Sequence, residues 1–96
     1  MAGETIQGLT LRVGHPNLLY PAVLPVAREG LLSNLAAQCA EQGLQMLSAP
    51  TIVREIPVKY VPVVTPDGET LHEEEQCRPE DAECLLIIAE VTCAAR

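Results

Sequence analysis

The stretch that decides the fold is Cys84-Leu85-Leu86-Ile87-Ile88-Ala89-Glu90-Val91-Thr92-Cys93. Its β-branched content and length suit a strand, not a helix. Leu85, Ile87, Ala89, Val91 and Cys93 share one face; Cys84, Leu86, Ile88, Glu90 and Thr92 share the other. Both faces are apolar along the first half, so the segment reads as a central strand covered on both sides. The other elements must be arranged around it.

Upstream, residues 5–14 alternate. Leu9, Leu11 and Val13 point one way and Thr10 and Arg12 the other, as in a half-buried strand. His15-Pro16-Asn17 ends it, because the residue before proline is pushed out of the helical region. Val26 to Gln42 carries helical spacing, with Leu32, Leu35, Ala36 and Cys39 on one stripe and Gly43 placed as a left-handed cap. Gly30 is a weak point that divides this helix or marks its start. Residues 44–48 and 52–64 read as extended, with Pro50, Pro57 and Pro62 demanding an edge, bulged or broken strand. Pro66-Asp67-Gly68 is a turn signal and predicts a hairpin from Lys59–Thr65 to Glu69–Glu75. Residues 76–83 form a polar connection with room for one helical turn.

The sequence therefore predicts a single small α+β domain over residues 1–96, with a mostly antiparallel sheet in β-α-β-β-β order and one helix packed on one face. One helix covers one face only. The apolar side chains left on the other face, Leu86, Ile88, Val58 and Tyr60 among them, require either a curled sheet or a partner. Apolar patches beyond a few hundred Å² mark interaction surfaces. The expectation is a homo-oligomer or a component of a protein assembly, with Leu86, Ile88, Val58, Tyr60, Glu73, Glu74 and Glu75 as the candidate interaction surface.

Of 96 residues, 48% are hydrophobic and 20% charged, and the net charge is −7. Residues 1–66 balance, with Glu4, Glu29, Glu41 and Glu55 against Arg12, Arg28, Arg54 and Lys59. The excess lies in residues 67–96, where nine acids face only Arg78 and Arg96. So few bases give no footprint for binding phosphates, and the same field disfavours anionic membranes. Nucleic acid and membrane are thus not expected as direct partners, and with no secretory leader in the opening residues the expected location is cytoplasmic. One lysine against five arginines, with abundant alanine, leucine, valine and proline, is the usage of a GC-rich genome such as an actinobacterium or its phage.

No residue pattern points to catalysis or a cofactor. There is no nucleophile elbow, no phosphate-binding glycine loop and no dinucleotide fingerprint. His15 beside Pro16 reads as a structural loop histidine. Cys39 and Cys93 sit on apolar faces and read as buried core cysteines. Cys77 and Cys84 flank the polar connection and suit a small disulfide loop in an oxidising setting. With His72 and Glu74 they also define the alternative of a metal-binding module or small metalloenzyme, although their spacing matches no standard zinc pattern. His72-Glu73-Glu74-Glu75 otherwise reads as an edge strand whose charges block unwanted pairing. A further alternative is an acidic inhibitor or nucleic-acid mimic that uses the acids of 67–83 to occupy a basic site.

Overall fold

The computed structural model describes residues 6–95. Five strands and one long helix occur in the order β1 (Ile6–His15), α1 (Leu24–Glu41), β2 (Leu44–Met46), β3 (Thr51–Val64), β4 (Thr70–Gln76) and β5 (Cys84–Ala95). Short 3-10 turns at Pro16–Leu19 and Pro79–Asp81 join β1 to α1 and β4 to β5. The fold is α+β, with an antiparallel sheet in the order β1-β5-β3-β4. The short β2 pairs with the far end of β5, Leu44 opposite Ala95 and Met46 opposite Cys93.

β5 is the central strand, as its two-faced apolar pattern requires. β1 lies along nearly its whole length, from Ile6 opposite Ala94 to His15 opposite Leu85. On the helix side Ile87, Ala89 and Cys93 are fully buried, packed with Leu31, Leu35 and Cys39 of α1. On the opposite side Cys84, Leu86 and Val58 are also buried. The curl of the sheet provides that second cover, so Leu86 and Val58 are buried within the chain itself.

The helix differs from expectation in two respects. It runs unbroken through Gly30 and begins at Leu24, with Pro25 in its first turn where a missing N–H costs nothing. Its buried line is Leu31–Leu35–Cys39 at four-residue spacing, with Leu32 and Ala36 only part-buried. The stripe is rotated by about one position from Leu32–Leu35–Ala36–Cys39, because α1 lies over β5 and β1 and leaves its other flank to solvent. Gly43 follows with a φ of 72°, and its N–H donates to the Ala40 carbonyl at 3.0 Å.

β3 accommodates its prolines by changing partners midway. Thr51–Val58 pairs with β5, with a bulge between Ile52 and Arg54, and Val58–Val64 pairs with β4. The Pro57 carbonyl accepts the Cys77 N–H at 3.0 Å, on the side away from β5, so its missing N–H removes no bond to β5. The Val58 carbonyl, one residue on, points towards β5 and accepts the Glu83 N–H at 2.9 Å. Pro62 shares that direction, and there β5 has already ended. Pro57 thus stands opposite Leu85 and Pro62 opposite His72, each with its ring nitrogen turned away from that paired strand. The hairpin closes as predicted. Gly68 has a φ of 84° and donates its N–H to the Thr65 carbonyl at 2.9 Å, and Thr65 donates to the Glu69 carbonyl at 2.8 Å.

The resulting molecule is long and thin. Its extents are 56 × 38 × 19 Å and its radius of gyration is 17.2 Å. A compact chain of this length has a radius of about 12–13 Å. The outlying part is the β3–β4 arm, Val58–Gln76.

Candidate interaction surface

The arm is a two-stranded hairpin from Val58 opposite Gln76 to Val64 opposite Thr70. All of β4 is exposed, and its backbone lies close to β3 alone. Leu71 is 49% exposed and Val64 69%. A lone two-stranded hairpin is marginal in water. Among the described residues, two side-chain hydrogen bonds tie the arm back. Arg12 on β1 donates to a Glu74 carboxylate oxygen at 3.0 Å, and the Tyr60 hydroxyl lies 3.4 Å from the buried Cys84 sulfur. Arg12 and Glu74 are both solvated, so their bond contributes little to stability.

Tyr60 and Cys84 share one hydrogen bond at the root of the arm. That bond, the nearby thiol, burial and the charges of Glu74 and Glu83 together hold the Tyr60 hydroxyl above its ordinary pKa. Burial also raises the Cys77 thiol, Lys59 opposes that shift, and Asp81, Glu75 and Glu83 add to it. A thiol kept protonated in this way is a poor nucleophile.

The sequence-predicted surface divides into two parts. Glu73, Glu74 and Glu75 are exposed on β4, whereas Tyr60 and Ile88 are part-buried and Val58 and Leu86 are buried. On the arm Val64 and Leu71 are exposed and Val61 and Val63 part-buried, among the acids of β4. Val61, Val63 and Val64 are evident in the sequence as apolar strand residues, but alternation alone does not reveal that β3 outruns β5 there.

The alternative metal set is not gathered. His72 stands opposite Pro62 far along the arm, Glu74 is engaged by Arg12, Cys77 lies at the arm's root and Cys84 is buried against Tyr60. A strand advances about 3.3 Å per residue, which separates His72 widely from Cys77. Among the described residues no three His, Cys, Asp or Glu side chains stand close enough to hold a metal ion.

The cysteines pair differently from the candidate Cys77–Cys84 loop, since both of those thiols are free. Cys39 of α1 and Cys93 of β5 are buried as expected, but they are joined by a disulfide, with Cα atoms 6.1 Å apart. His15 acts within its own turn, its Nδ1 accepting the Asn17 N–H at 3.0 Å. Arg28 on α1 grips Glu55 on β3 through both guanidinium branches, one bond measuring 2.7 Å and the other shorter. The Arg28 hydrogen bonds hold the Glu55 carboxyl below its ordinary pKa, against the opposing effect of burial. Sequence reading missed this pair because it joins a helix to a strand 27 residues away.

No helix among the described residues is long and apolar enough to cross a membrane. Comparisons with family profiles, curated proteins and solved structures give no match, so no relative lends this chain an activity.

Proposed function

We propose that this is a non-enzymatic assembly protein whose β3–β4 arm docks on a protein partner. The observation that carries the reading is the arm itself. All seven β4 residues are exposed and held to the rest of the fold by little more than one hydrogen-bonded strand. Such a hairpin gains order when its apolar side chains, Val61, Val63, Val64 and Leu71, are covered. The acids between them favour a partner surface carrying positive charge at its rim.

The acidic-inhibitor reading keeps one supporting observation, the exposure of Asp67, Glu69, Glu73 and Glu75 on the same arm. Salt separates the two readings. Binding carried by charge weakens steeply as salt rises, and binding carried by the arm's apolar side chains does not. The Cys39–Cys93 bond fits an oxidising setting better than the cytoplasm, where disulfides are rare.

The test is capture from the native host with the chain immobilised through its C-terminus, run beside a Val61→Glu/Val63→Glu variant. Both substitutions lie on the arm and outside the helix-side core. A protein retained by the wild type and lost with the folded variant supports the proposal. Identical retention by both contradicts it.

A further inference from the structure

Beside the three-residue β2, the sheet has two long outer strands, and only one is guarded. β4 carries Glu73, Glu74 and Glu75, and the free side of the arm's β3 strand carries Pro62. Charges and prolines are the usual devices against strand addition. β1 has neither proline nor bulge over its ten residues, and the charge of Arg12 is answered by Glu74 of the same chain. Ten extended residues offer about 33 Å of unpaired backbone.

Beside this edge lies an open apolar groove of about 220 Å³, lined by Val13 of β1 and by Ala27, Gly30, Leu31 and Asn34 of α1. A Cβ at Gly30 would meet nothing within 4 Å. The groove is walled by α1 on one side and by the Val13 end of β1 on the other, with room for a further apolar side chain.

We infer that a second copy of this chain supplies that strand, through antiparallel β1–β1 pairing about a twofold axis. Three features select a second copy. With Leu11 on the axis, Leu9 falls opposite the partner's Val13, and Thr10 opposite the partner's Arg12. All three helix-side leucine and valine residues of β1 then meet apolar partners, and no like charges are opposed. Shifting the pairing by two residues places Val13 against Gln7 in one direction, or Arg12 against Arg12 in the other. Second, this pairing carries Leu9 of each chain to the mouth of the other's groove beside Val13. Third, two chains of net charge −7 must meet on a neutral surface. From β1 to the end of α1 the charges balance, Arg12 and Arg28 against Glu29 and Glu41. The interface is isologous, as twofold pairing demands, and the dimer presents two arms.

Sedimentation equilibrium from 1 to about 100 μM tests this, with two variants and hydrogen exchange. The wild type is expected to show a dimer, with the β1 amides slowed in exchange as dimer forms. Val13→Lys places an inward charge on the edge, and Gly30→Leu fills the groove while improving helix propensity. Each is expected to weaken the dimer at least tenfold. Gly30→Leu is expected to melt no lower than the wild-type monomer, which separates lost pairing from lost folding. A wild type monomeric throughout overturns the inference, whether its β1 amides exchange freely or are protected by another segment or partner. So does a dimer that both variants leave intact. The result is independent of the arm: Val61→Glu/Val63→Glu is expected to dimerise normally, and Gly30→Leu to retain any partner captured through the arm.

Discussion

The two ends of this sheet are built on opposite principles. At the β1–β5 end, α1 covers a continuous apolar face, a disulfide ties helix to strand, and Leu35, Ile87, Cys39 and Cys93 are shut off from water. At the β3–β4 end a strand of seven exposed residues is backed by one neighbour. Local stability follows buried apolar contact, so the first end carries the fold and the second is available for other contacts. The charge divides along the same line. The stretch from β1 to α1 is balanced, whereas residues 58–83 set Lys59 and Arg78 against Asp67, Glu69, Glu73, Glu74, Glu75, Glu80, Asp81 and Glu83.

Perturbing the two ends should therefore have very unequal effects. The largest is expected on reducing Cys39–Cys93, which closes a loop across 54 residues. Chain entropy for such a loop is worth about 4 kcal/mol, and the melting temperature should fall by roughly 15–30 °C. Calorimetry with and without reductant measures this. Leu35→Ala empties a fully buried site and should cost about 3 kcal/mol in urea unfolding. Leu71→Ala, on the arm, should cost under ~0.5 kcal/mol in the same assay. Equal losses at Leu35 and Leu71 would erase the distinction between the two ends.

Between these extremes stands the Arg28–Glu55 clamp. Glu55 keeps some solvent exposure, so Glu55→Gln should cost only about 0.5–1 kcal/mol at neutral pH. The sign with pH follows from the lowered Glu55 pKa. Its contribution is complete above the ordinary carboxylate pKa and is lost as pH falls through the lowered folded value. Wild type and Glu55→Gln should converge in acid. A difference that persists below that value would assign the effect to packing.

Much of this division can be read from the sequence. The two apolar faces of residues 84–93 define a central strand, the Leu9–Leu11–Val13 alternation defines its neighbour, and Pro66-Asp67-Gly68 fixes the hairpin. These signals are local, because periodicity and turn chemistry act within a few residues. The remaining features depend on chain segments meeting. Cys39 meets Cys93 only because α1 lies along β5, and Arg28 meets Glu55 across the same interface. Leu31 takes the buried line and leaves Leu32 and Ala36 part-buried at its margin, a small helix rotation that a pattern with apolar residues on both flanks leaves open. Prolines 57 and 62 signal an irregular strand, but not that β3 changes partners between them. That change makes Val61, Val63 and Leu71 part of an arm and not part of a core.

Amide hydrogen exchange on the isolated, dilute chain tests the contrast most directly. The account predicts that Thr70–Gln76 exchange close to the rate of an unprotected chain, while Ile87–Cys93 exchange only through global unfolding. Arm amides as protected as those of β5, with no partner present, would contradict it.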